Sequence, residues 1–127
     1  MENDIKDFLK QESFAVAGSF KDESKYAYRI LKLLLAKGKE VYPVNPGAEE
    51  VEGRKAYKSV KDIPSDVDAV SLVTPPEASE KIVRQCLEKN IKKVWFQPGA
   101  ESEAAVKFCR DNGIDVIHGL CVMLEGI

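Results

Sequence analysis

Five short apolar runs divide the chain at near-even intervals: residues 14–17, 41–44, 69–73, 93–96 and 114–117. Each is too short for a buried helix and shows little apolar–polar alternation, so each reads as a strand covered on both faces. Helical signals fall between them, and a repeated strand–helix alternation is what a parallel sheet flanked by helices requires. The expected fold is therefore α/β: a doubly wound, Rossmann-like, five-stranded, mainly parallel sheet with helices on both faces. The whole of residues 1–127 is expected to form one domain, with no finer repeat and no low-complexity tract.

Local chemistry sets the individual elements. Ile5, Phe8 and Leu9 share one face of a brief helix over residues 3–10, and Gly18 stops the first strand. Ala27, Ile30, Leu31 and Leu34 give the segment from Lys25 a single apolar stripe, with Gly38 as its C-terminal cap. Pro43 lacks the donor that a central strand needs and weakens the second strand. Residues 48–66 show no period and read as a surface loop with one turn of helix near Val60 to Ile63. Thr74-Pro75-Pro76-Glu77 matches a capping box, opening a helix whose expected inward face is Ala78, Ile82, Val83, Cys86 and Leu87. Ala105, Phe108 and Cys109 mark the last helix, which Asn112-Gly113 ends. Trp95, inside the fourth strand, is expected in the core with Cys86 and Cys109.

Charge and composition remove several classes of partner. Lys and Arg total 19 against 21 Asp and Glu, a formal −2, so there is no basic excess for a polyphosphate backbone and nucleic acid is not expected. The longest apolar stretch, residues 30–36, is broken by Lys32 and falls far short of the ~20 residues of a membrane-crossing helix. The acidic start Met1-Glu2-Asn3-Asp4 lacks the features of an export signal, which points to the cytoplasm. Cys86, Cys109 and Cys121 form no CxxC pair and read as reduced thiols rather than disulfides or a zinc knuckle.

In an open parallel sheet the ligand crevice lies beyond the carboxyl ends of the strands, where strand order reverses. Five loops qualify: residues 18–24, 45–47, 74–76, 97–99 and 118–121. The first leads into a helix whose free N–H groups and dipole favour an anion, and Ser19, Ser24 and Lys25 add hydroxyls and a positive charge suited to a pyrophosphate. The same residues would equally serve a tight turn at Gly18 and an N-cap at Ser24, and the further glycines of a G-x-G-x-x-G fingerprint are absent. Nicotinamide-binding domains place Asp or Glu at the end of the second strand to hold the ribose hydroxyls. Here Asn45-Pro46 stands there, either as a plain turn or as a neutral wall that tolerates a phosphorylated ribose.

Taken together, residues 15–19 with Lys25, Tyr42-Pro43-Val44-Asn45-Pro46, Val73-Thr74-Pro75-Pro76, residues 94–99 and the late Cys121 resemble the coenzyme A-binding domain family. These are small single-domain proteins akin to the N-terminal domain of the succinyl-CoA synthetase α subunit. The resemblance implies that Gly18, Ser19, Phe20 and Lys25 surround the diphosphate, Asn45 and Pro46 border the adenosine, and Val73, Thr74 and Pro75 line the other wall. Gln97 would face the pantetheine path. Where the synthetase has lysines after its Asn-Pro, this chain has Gly47-Ala48-Glu49, and an apolar stretch follows Cys121.

The synthetases pass phosphate through a histidine of a second domain. His118, the single histidine, stands after the fifth strand as either a structural residue or a crevice residue. Cys121 is either a reactive thiol or a small buried hydrophobe. Tyr26 and Tyr28 flank the phosphate helix, and Lys21, Asp22 and Glu23 read as a solvated loop. The expected function is a module that binds coenzyme A or an acyl-CoA, a carrier or sensor without catalysis of its own. The alternatives are a minimal NAD(P)-dependent oxidoreductase and a CoA ligase subunit that needs a partner chain. A homodimer through residues 122–124 is a further expectation.

Overall fold

The computed structural model describes residues 2–119, with side chains from Ile5 onward. Cys121 and residues 122–124 lie outside the described residues. The element order is α1 (Glu2–Lys10), β1 (Ser13–Ala17), α2 (Tyr26–Ala36), β2 (Glu40–Val44), β3 (Glu50–Val51), β4 (Arg54–Lys55), a 3-10 turn (Val60–Asp62), β5 (Ala69–Leu72), α3 (Pro76–Glu88), β6 (Lys93–Phe96), α4 (Glu103–Asp111) and β7 (Asp115–Ile117).

Five strands form one parallel sheet in the order β2-β1-β5-β6-β7. The chain steps outward from β1 to β2, returns past β1 to β5, and continues outward on the other side. Strand order therefore reverses between β1 and β5. One face carries Phe14, Val16, Ala69 and Trp95 against Phe8 of α1 and Ile30, Leu31 and Leu34 of α2. The opposite face carries Ala15, Ala17, Val70, Leu72 and Phe96 against Val83 and Cys86 of α3 and Ala105 and Cys109 of α4. Every residue of β1 and β5 is buried, as two covered faces demand. Trp95 is fully buried, with Phe8 edge-on to its ring at 5.2 Å.

Pro43 is accommodated because β2 is an edge strand. Its carbonyl points outward and accepts from Tyr57 N at 2.9 Å, so the missing N–H also faces the free side and no ladder bond to β1 is lost. Lys37, Gly38 and Lys39 close α2 with bonds back to Leu34 and Leu35, and Gly38 takes the left-handed conformation (φ 77°) expected of a terminating glycine.

Two local expectations are corrected. Residues 48–66 are not all loop, since β3 and β4 pair antiparallel around Glu52-Gly53, both left-handed (φ 50° and 76°). That geometry is the tight hairpin turn in which glycine is favoured, but a two-residue strand is too short to show a period. The capping box at Thr74 does not form. Pro75 is the N-cap, Pro76 is the first helical residue, and the Thr74 hydroxyl instead lies 2.7 Å from Ser79 Oγ. Of the expected inward face of α3, Val83 and Cys86 are buried and Ile82 and Leu87 pack partly buried against the same cluster, while Ala78 is half-buried and Ser79 is buried in addition. Among the described residues, no helix is long and apolar enough to cross a membrane.

Candidate functional site

A groove of about 450 Å³ opens at the strand-order reversal, the position at which open α/β sheets take ligands. Three strand ends build its floor: Ala17, Gly18 and Ser19 after β1, Val44, Asn45 and Pro46 after β2, and Val73, Thr74 and Pro75 after β5. One side is α3, through Ala78, Lys81, Ile82 and Gln85, and the segment after Tyr57 adds Lys58 and Ser59.

Gly18 is where the elements come closest. A Cβ there would stand 2.7 Å from Ala27 Cβ and 2.8 Å from the Val73 carbonyl oxygen, so only glycine lets α2 and the β5 end approach together. Asn45 ties two loops: its Nδ2 donates to Gly18 O at 2.6 Å, and its Oδ1 accepts from Gly47 N at 2.7 Å. The Asn-Pro turn is thus built into the floor, its side-chain amide spent on the protein itself.

Apolar walls dominate the remainder, through Val44, Pro46, Val73, Pro75 and Ile82. Among the described lining residues the ionisable side chains are Lys58 and Lys81, with no carboxylate, although the chain as a whole carries −2. The groove is a positive spot on a slightly negative protein. Gln85 Oε1 is buried in its wall without a hydrogen-bond partner, at a cost of roughly 1–3 kcal/mol.

The CoA binding domain family model matches residues 12–127. The chain belongs to that family. It is 42% identical over 88 residues to the α subunit of an ADP-forming acetate–CoA ligase II of Pyrococcus furiosus, covering 68% of this chain and 19% of that protein. It therefore spans about a fifth of that ligase subunit. Two solved structures match over most of both chains. A conserved hypothetical protein of Pyrococcus furiosus is 43% identical with a TM-score of 0.84, over 91% of this chain and 99% of that one. A hypothetical protein of Pyrococcus horikoshii is 36% identical with a TM-score of 0.93, over 98% and 89%. The expected Rossmann-like fold and the resemblance to CoA-binding domains both hold.

Of the residues singled out in the sequence of this CoA-binding domain, Gly18, Ser19, Asn45, Pro46, Val73, Thr74 and Pro75 meet in the groove. Four do not line it. Phe20 is buried beside Tyr28, ring centroids 6.5 Å apart. Ser24 is not an N-cap: Asp22 Oδ1 accepts from its backbone N–H at 2.8 Å and also bonds its hydroxyl, and these bonds hold the Asp22 carboxyl below its ordinary value. Lys25 is the N-cap residue of α2, exposed and without a side-chain cap bond. Gln97 is fully buried and donates through Nε2 to Ser71 Oγ at 3.1 Å beneath the sheet end, so it faces no open path.

His118 is half-buried and lines a different cleft, of about 570 Å³ along α4, together with Glu101, Glu103, Lys107, Arg110 and Asp111. Its mixed charges and its separate lining set it apart from the groove at the strand-order reversal. Cys86 and Cys109 are buried, and burial pushes both thiols upward in pKa. Sequence reasoning missed Lys58, Ser59, Lys81 and Gln85. Lys58 and Ser59 sit in the segment without a period. Ala78, Ile82 and Gln85 recur at helical spacing beside the buried Val83 and Cys86, so in sequence their stripe resembles core, while in the fold it borders the groove.

Proposed function

We propose that this domain binds coenzyme A or an acyl-CoA in the groove at the β1/β5 reversal, in the cytoplasm, as a carrier or sensor without chemistry of its own. Gly18 and Ser19 border the diphosphate, Asn45 and Pro46 the adenosine, and Val73, Thr74 and Pro75 close the other wall. The observation that supports this most is that three strand ends converge on a mainly apolar groove holding two lysines and, among the described residues, no carboxylate. Apolar walls suit an adenine and a pantetheine arm, and the cations suit phosphates. An NAD-dependent reading lacks the acidic group that would hold a free ribose diol.

A second reading has the domain serve as part of a CoA ligase. It draws on the likeness to a ligase α subunit, and it requires a partner chain or domain to supply nucleotide binding and a phosphorylatable histidine.

The test is a thermal shift of the purified protein with coenzyme A, dephospho-CoA, NAD and ADP. A ligand at about 100 times its Kd adds about 2.7 kcal/mol of stability. Coenzyme A is expected to raise Tm most. A larger rise with NAD, or none with coenzyme A, overturns the proposal.

A further inference from the structure

We infer that Lys58 and Lys81 form a seat for the ligand's 3′-phosphate, assembled from two separate elements in place of a basic run after the Asn-Pro turn. This rests on the coenzyme A reading above.

Position is the first argument. Tyr57 bridges to the outer side of Val44, and Asn45 N donates to Tyr57 O at 2.8 Å, so Lys58 follows directly on the segment that runs beside the Asn-Pro turn. That is the adenosine end of the groove. Lys81 approaches from α3, whose far end is fixed to the same segment by Lys61 Nζ–Glu88 Oε2 at 3.0 Å and by Lys89 Nζ donating to Ile63 O at 2.7 Å. Lys81, Gln85 and Glu88 share one face of α3 by their spacing. Along that seam the Glu88 carboxylate is matched by Lys61, Gln85 Oε1 lies buried, and Lys58 and Lys81 line the groove.

Charge is the second. Neither Lys58 nor Lys81 has a carboxylate at salt-bridge distance among the described residues, so two cations face one groove uncompensated. A phosphate monoester carries about −1.5 to −2 near neutral pH and would neutralise both.

The experiment is isothermal titration of coenzyme A and dephospho-CoA into the wild type and into a Lys58→Gln/Lys81→Gln variant, with Tm of each free protein recorded. Both lysines are exposed, so the free variant is expected to melt as the wild type does. The wild type should prefer coenzyme A over dephospho-CoA by about ten- to a hundredfold, as charged hydrogen bonds of this kind supply. In the variant that preference should collapse, coenzyme A losing far more affinity than dephospho-CoA. If the variant weakens both ligands alike, or neither, the lysines do not seat the 3′-phosphate while the coenzyme A reading stands. If the wild type binds neither ligand, the coenzyme A reading itself fails, and this inference with it.

Discussion

The Asn45 side-chain amide donates to the Gly18 carbonyl at 2.6 Å, joining the loop after β2 to the loop after β1 across the floor of the groove. Gly18 N in turn donates to Val44 O at 3.2 Å, so the two strand ends are held by reciprocal bonds. Pairing of this kind fixes the separation of two strand ends that belong to different crossovers, and with it the width of the groove.

Replacing Asn45 should therefore act on the fold before it acts on a ligand. Asn45→Ala takes the side-chain donor from the part-buried Gly18 carbonyl and leaves the exposed Gly47 N–H to water, a loss of roughly 1–3 kcal/mol. Asn45→Asp keeps the acceptor for Gly47 N but sets a carboxylate against the Gly18 carbonyl, and should lose more. Urea denaturation of the wild type and the two variants checks the order. An Asn45→Asp protein as stable as the wild type would show that the Gly18 bond contributes little.

Gly18→Ala should lower stability by about 1–3 kcal/mol, the usual cost of overpacking, which for a domain of this size is roughly 3–15 °C in Tm. The added methyl meets Ala27 Cβ at 2.7 Å and a backbone carbonyl at 2.8 Å, and neither is the far end of a flexible side chain. A Gly18→Ala/Ala27→Gly double variant removes one of the two collisions and should recover part of the loss. Melting curves of the single and double variants decide it.

How far the sequence revealed this site depends on the kind of signal each residue leaves. The sheet was legible because strands buried on both faces are continuous apolar runs, while Pro43 weakened the second strand in sequence and only the strand order explains it as an edge position. Gly18 and Asn45-Pro46 were legible because turn chemistry at strand ends is local, whereas Val73, Thr74 and Pro75 entered as wall residues through the family resemblance. Lys58 and Lys81 were not legible, since an exposed lysine looks the same in sequence whether it faces a groove or bulk water. Phe20 and Gln97, which do not line the groove, show the reverse. Both follow strand ends, yet Phe20 turns inward against Tyr28 and Gln97 against Ser71, and no local pattern distinguishes those directions. Ser24 was captured by Asp22 two residues earlier, a competition between side chains that spacing alone leaves open.

The buried thiols give a pH prediction with a definite sign. Burial raises the pKa of Cys86 strongly and pushes that of Cys109 up to about 11, from an ordinary 9.0. Above pH 9.0 the unfolded chain gives up these protons first, so the folded state binds more protons and stability falls as pH rises, with no contribution at neutral pH. Urea midpoints taken from about pH 8 to about pH 10 should drop less steeply for a Cys86→Ala/Cys109→Ala variant than for the wild type. In a Cys121→Ser background, a thiol reagent at neutral pH should find both remaining cysteines only after denaturation. Rapid reaction of either in the native protein would contradict their place in the core.

Tyr28 anchors the start of α2 to the β3–β4 hairpin by donating its phenol hydrogen to Glu52, which sits left-handed in the hairpin turn. That hydrogen bond, reinforced by the negative charges of Glu52 and Glu23, raises the phenol from 10.0 to about 12. Of the 4 tyrosines, Tyr42 is also shifted upward, by burial and by its bond to Glu40, so two phenols should titrate late in the tyrosinate absorbance. Tyr28→Phe should remove one late step, and Glu52→Gln should return it toward 10.0 by removing the charged acceptor. The sign for stability is the same as for the thiols: the unfolded phenol ionises first, so the Tyr28–Glu52 contact loses its value as pH climbs past 10.0. The hairpin should then open from α2 before the sheet unfolds, seen as faster amide exchange at β3 and β4 alone in alkali. Matching exchange in the wild type and in Tyr28→Phe at neutral pH would show that the hairpin is held by Val51 and Ala56 in the core instead.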